Sequence, residues 1–185
     1  MIRWSFMLLA VVLFSCNSSN EEVKPEITAN PTEEEYEKLS DKIVELEEIV
    51  DADVDRKEMK ARKQLLIAYA NFANNFHEDE KAPEYLFRGA KLANELGKPR
   101  RAIEYLTNLH DGYPSFDKRT EAAFLVGFIY DNVLNDKELA QKAYEKVIEF
   151  YPESKWAEEA KNSIQLLYLT DEEKIRKFQE QNKQQ

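Results

Sequence analysis

Residues 127–160 read GFIYDNVLNDKELAQKAYEKVIEFYPESKWAEEA, and residues 89–122, 38 positions earlier, read GAKLANELGKPRRAIEYLTNLHDGYPSFDKRTEA. The two stretches align without a gap. Gly89 falls on Gly127, Asn94 on Asn132, Leu96 on Leu134 and Ala102 on Ala140. Tyr113-Pro114 falls on Tyr151-Pro152, and Glu121-Ala122 on Glu159-Ala160. A weaker copy lies upstream, where Ala68-Tyr69 sets on Ala143-Tyr144, Phe76-His77 on Tyr151-Pro152 and Ala82 on Ala157. Self-similarity at such a period, with helical spacing inside each copy, marks stacked helix pairs. No pair can bury its apolar face alone, so each is covered by its neighbours.

Inside each copy the first helix carries Gly89 or Gly127, followed three residues later by Leu92 or Tyr130. The second helix carries Ala102 or Ala140, then Leu106 or Tyr144, and ends in Tyr113-Pro114 or Tyr151-Pro152. This pattern resembles the tetratricopeptide repeat, in a variant slightly longer than the standard period, over roughly residues 63–170. The resemblance implies an all-α, right-handed solenoid of helical hairpins, about three pairs plus a capping helix. Glycine inside a helix costs about 1 kcal/mol against alanine. Gly89 and Gly127 are therefore expected where a neighbouring helix crosses too closely for a Cβ. Gly97, followed by Lys98-Pro99, matches the glycine that ends one helix and the proline that starts the next.

The resemblance also implies a function. In repeats of this class the first helices line a surface that binds peptides, which makes Leu86, Ala90, Asn94, Phe124, Phe128 and Asn132 the candidate groove residues. The basic side chains with which some such repeats hold a terminal carboxylate are missing there. An aromatic or aliphatic segment, or a helix, is the expected ligand. The alternative is that Phe124 and Phe128 pack against the chain's own helices. Residues 151–160, YPESKWAEEA, resemble the repeats of bacterial cell-envelope lipoproteins, including the lipoprotein subunit of the β-barrel assembly machine and the Tol–Pal-associated coordinator.

Upstream of the repeats, Thr32 and Glu35 form the pattern of a capping box. Tyr36, Leu39, Ile43, Leu46 and Val50 then recur at spacings of three and four. That single apolar stripe suits either packing on the next helix or a short seam between copies through residues 36–50. Predicted helices span 33–50, 55–76, 82–96, 99–112, 118–134, 137–151, 155–169 and 171–181, the last capped by Thr170 and Glu173. The expected organisation is a leader over 1–15, a tether over 16–32, an acidic helix over 33–54, the repeats over 55–170 and a polar tail over 171–185.

The leader begins Met1-Ile2-Arg3, and Trp4 to Phe14 is apolar apart from Ser5. Eleven helical residues rise about 16 Å, too little for a bilayer core of roughly 30 Å, so the segment suits the apolar region of a secretory signal peptide. Leu13-Phe14-Ser15-Cys16 resembles the lipobox of bacterial lipoproteins, with Phe14 bulkier than usual for it. The resemblance implies cleavage before Cys16, lipidation of its sulfur and acylation of the new amino group. Two or three acyl chains anchor stably where one is marginal. The bland alternative is an ordinary signal peptide with a chance cysteine. Asn17 after the cysteine resembles outer-membrane cargo, on the periplasmic face, whereas Glu21-Glu22 weakly resembles a surface-export signal.

Composition excludes several classes. The 185 residues carry 36 acidic and 26 basic side chains, a net charge of −10. Residues 33–55 alone account for −9, while 56–185 hold 22 charges of each sign. Neither part is a basic surface for nucleic acid. With four glycines and no phosphate-loop string, no nucleotide cradle is expected. A single cysteine rules out an internal disulfide and a cysteine-cluster zinc site. Asp51-Ala52-Asp53-Val54-Asp55 opens like a calcium loop, but Arg56 stands where glycine is needed and Arg62 where the bidentate glutamate is needed. His77 and His110 have no Ser or Cys nucleophile with a claim on them. The expectation is a non-catalytic scaffold without metal or cofactor, holding protein partners of the cell envelope.

Overall fold

The computed structural model describes residues 27–28, 30–52 and 56–182. Cys16, the leader and most of the tether lie outside these residues, as do Asp53 and Asp55 of the calcium-like string. Among the described residues are eight helices and no strand: α1 (Glu33–Asp51), α2 (Arg56–Asn75), α3 (Ala82–Glu95), α4 (Pro99–Gly112), α5 (Arg119–Asn132), α6 (Lys137–Phe150), α7 (Lys155–Leu167) and α8 (Asp171–Asn182). The chain is an all-α solenoid of helical hairpins, as the repeat pattern implies.

Local chemistry sets the helix ends. Thr32 accepts from the Glu35 backbone N–H at 3.2 Å, while the Glu35 carboxylate accepts from the Thr32 N–H at 2.8 Å. Thr170 and Glu173 make the same reciprocal pair at 3.2 and 2.8 Å. Asp136 caps α6 through the Leu139 N–H, and Ser154 caps α7 through that of Ala157. Each satisfies an N–H that the helix leaves without an internal acceptor.

The turns repeat as well. Between α3 and α4, Gly97 takes φ 69° and the Lys98 N–H reaches back to the Ala93 carbonyl at 2.8 Å, the left-handed helix ending. One period later the same place is held by Asn135 at φ 52°. Asparagine is among the few side chains that tolerate this region. Between pairs, the Tyr113 carbonyl accepts from the Phe116 N–H at 3.1 Å, and the Tyr151 carbonyl from the Ser154 N–H at 3.0 Å. Proline at the second position suits such a turn. Pro114 and Pro152 are exposed, so they act through the backbone of these turns and not through packing.

Consecutive helices pack on one another from α1 to α7, and α7 also reaches across to α5. This gives three pairs, α1/α2, α3/α4 and α5/α6, closed at one end by α7. Helix α8 is tied to α7 by Lys177 Nζ donating to Gln165 Oε1 at 2.8 Å. The buried residues form two clusters. The larger runs from Ile43 of α1 to Ile129 of α5 and centres on Phe72, whose ring meets those of Tyr36 (5.4 Å), Phe76 (5.2 Å) and Tyr85 (4.8 Å). The smaller joins α5, α6 and α7 around Tyr144, which is 0% exposed.

Both repeat glycines face tyrosines. A Cβ on Gly127 would lie 2.6 Å from Tyr144 Cδ1, and one on Gly89 would lie 3.3 Å from Tyr105 Cδ2. Ala102 and Ala140 are fully buried. The apolar stripe of α1 is used inside the chain. Ile43 and Leu46 are buried, and Tyr36, Leu39 and Val50 pack against the same cluster. The stripe thus packs on the next helix within the chain.

Burial also sets an alkaline limit. Tyr144 has its hydroxyl pushed up to about 12, chiefly by burial. Tyr69 is raised further, by burial and then by the Glu47 carboxylate that accepts from its hydroxyl at 2.6 Å. Between the ordinary value of 10 and the raised folded values, the unfolded chain releases protons that the folded chain keeps. Stability is therefore whole below pH 10 and falls as pH rises through this window, by about 1.4 kcal/mol per pH unit for each such tyrosine. Urea melts between pH 9 and 11 should show this fall, and Tyr144→Phe should make it shallower. An unchanged slope in that variant would refute the assignment.

Candidate interaction groove

The residues expected to line a groove along the first helices divide on burial. Leu86, Ala90 and Phe124 are buried. Phe124 lies between Tyr144 and Trp156, with ring centroids at 5.4 and 4.9 Å. Because α7 lies against α5, the face Phe124 occupies is covered by the next first helix, and these three side chains are packing residues. Asn94 is half-buried, and its Oδ1 finds no donor among the described residues. Phe128 is 41% exposed, and Asn132 beside it donates to the Phe128 carbonyl at 3.2 Å. Of the six, only Phe128 and Asn132 face solvent.

A concavity lies elsewhere. A groove of about 980 Å³ runs between the second helices α4 and α6, floored by α5. Helix α4 contributes Ile103, Thr107 and His110; α5 contributes Arg119, Ala123, Val126 and Tyr130. Helix α6 contributes Leu139, Lys142, Ala143, Lys146 and Phe150. The small side chains Ala123 and Ala143 leave the floor open, while Phe150 and Leu139 are 62% and 39% exposed at the edge. A volume of this size lies at the upper end of the range for ligand clefts.

One end of the groove is built from a polar cluster. His110 Nδ1 meets Asp111 Oδ1 at 2.7 Å and His110 Nε2 meets the Tyr151 hydroxyl at 2.8 Å. A carboxylate only accepts, so Nδ1 carries a proton, and in the neutral imidazole Nε2 is then the acceptor for the tyrosine O–H. The two rings meet edge-on at 5.9 Å. Arg119, the first residue of α5, donates from Nε to the His110 carbonyl at 2.7 Å, satisfying a carbonyl in the last turn of α4. Its guanidinium carbon stands 5.8 Å from the centre of the Tyr151 ring. The cluster thereby fastens α4, α5 and the end of α6 together.

Sequence reasoning passed over this cluster. Its members have no motif spacing, since His110 and Tyr151 are 41 positions apart. The usable signal was the period itself: Tyr151 is Tyr113 shifted by one repeat, so it stacks over the residues just before Tyr113, where His110 lies. His77 is 72% exposed and only approaches Glu78, at 3.9 Å. Among the described residues no three His, Cys, Asp or Glu side chains gather as a metal site, and no helix is long and apolar enough to cross a membrane.

Residues 121–154 match the tetratricopeptide repeat family model. The match begins in the first turn of α5 and ends at the cap of α7, so it covers the α5/α6 hairpin that floors and walls the groove. It supports tetratricopeptide repeats in this chain, a class of protein-interaction scaffold that is generally non-catalytic. No curated protein and no solved structure matches the chain.

Proposed function

We propose that this chain is a lipid-anchored scaffold of the bacterial cell envelope, whose helical repeats hold protein or peptide partners near the outer membrane. The repeat match over residues 121–154 carries the scaffold half of this reading. The anchoring half rests on position: the only cysteine of the chain, Cys16, follows an apolar run of signal-peptide length in a Leu-Phe-Ser-Cys string. A balanced charge over residues 56–185 suits a body that works beside anionic lipid without binding it electrostatically. The role is adaptation in envelope assembly or maintenance, with no chemistry at the protein itself.

Growth with an alkyne-bearing fatty acid, followed by fractionation, tests the anchor. The wild-type chain should carry label and sediment with membranes, whereas Cys16→Ser should lose the label. An unlabelled wild type, or a Cys16→Ser variant that still carries label, would refute it. Crosslinking in intact cells tests the scaffold, which requires a reproducible partner.

A further inference from the structure

We propose that the groove between α4 and α6 receives an acidic amphipathic segment of a partner protein, with a carboxylate on Arg119 and apolar side chains against Phe150 and Leu139. This deepens the scaffold reading and rests on it. The argument begins with Arg119. Only its Nε is used, on the His110 carbonyl, and it has no carboxylate partner among the described residues. The remaining N–H donors of the guanidinium fork are the pair that suits a carboxylate bidentately. Stacking on Tyr151, itself held by His110, fixes the fork at the groove's end before any ligand arrives. Little side-chain entropy is then left to lose on binding.

The charges lining the groove are balanced in number, so it is the Arg119 fork itself that directs the carboxylate. Lys142 and Lys146 border it on α6, exposed and without carboxylate partners among the described residues. Of the acidic residues there, Asp111 is engaged by His110 and Glu145 accepts from Gln141 at 2.7 Å. Asp111, Glu145 and Glu149 keep their charges and match Arg119, Lys142 and Lys146 three to three. A ligand carboxylate supplies the acceptor that the Arg119 fork lacks, and the apolar edge and small-residue floor take its other face. The groove lies along the second helices of the pairs, not along the first.

Selection of random twelve-residue peptides on the immobilised full chain tests this without presupposing a partner. Enriched peptides should combine Asp or Glu with aromatic or aliphatic residues, and their affinity should fall as salt rises. Arg119→Gln should weaken them at least tenfold. Arg119 also caps α4, so the exposed double variant Lys142→Glu/Lys146→Glu, which touches no packing, should weaken them severalfold on its own. Neutral or basic peptides, or acidic ones that bind both variants as well as wild type, would overturn the groove assignment and leave the scaffold reading standing. Failure of any peptide to enrich would count against both. Self-association of the full chain that disappears in the double variant would also overturn it, making a second copy the occupant.

Discussion

Gly127→Val is expected to destabilise the protein by about 3 kcal/mol, the upper part of the range for forcing extra carbon atoms into a packed core. The Cβ alone would lie 2.6 Å from both Tyr144 Cδ1 and Cε1 and 3.1 Å from Cγ. Tyr144 is 0% exposed and fixed between α5, α6 and α7, so its ring cannot swing away into solvent. Better helix propensity returns less than 1 kcal/mol, and the clash wins. Gly89 is the internal control. Its Cβ would touch Tyr105 Cδ2 at 3.3 Å, a contact relieved by a few tenths of an ångström. There the propensity gain of about 1 kcal/mol offsets the crowding, so Gly89→Ala should change stability by less than about 1 kcal/mol. Urea denaturation of both variants decides the matter. A Gly127→Val protein as stable as wild type would mean that α5 and α6 do not cross as closely as described.

Phe72→Ala should cost about 3–5 kcal/mol, the range for removing a buried aromatic ring. Phe72 is 0% exposed and its ring touches α1 through Tyr36 and α3 through Tyr85. The cavity would open where three helices meet, and none of them can close it without losing contact with another. Because Tyr144 belongs to the separate cluster of α5, α6 and α7, damage at Phe72 should be felt first at the amino-terminal end. Amide exchange would show it: α1 and α2 should lose protection in Phe72→Ala while α6 keeps most of its own. Equal loss at both ends would show that the two clusters unfold as one.

The solenoid was legible in the sequence because its information is local and repeated. Thr32, Gly97, Pro99 and Thr170 each announce a helix boundary with chemistry confined to a few residues, and every predicted end lies within two residues of the observed one. The tight helix crossings were legible from Gly89 and Gly127, since glycine inside a helix needs a reason. The groove was less legible, because a helix face at a given repeat position is either open or covered according to what the next repeat does. Phe124 and Phe128 are only four residues apart on one helix, yet Trp156 of α7 covers the first while the second remains exposed. Arg119 and His110 were invisible for a related reason. Their meeting depends on a helix turn and on a tyrosine from the following repeat, and neither residue is unusual where it stands.

Packing between sequence neighbours also bears on how the chain reaches its fold. From α1 to α7 every helix rests on the one before it, and contacts that skip a helix, such as α5 against α7, skip only one. Native contacts therefore join residues a few tens of positions apart at most, and little loop entropy must be lost before any of them forms. Chains of such low contact order fold in microseconds to milliseconds. The Phe72 cluster and the Tyr144 cluster each supply a place to begin, and growth from either one reaches α5, the helix they share.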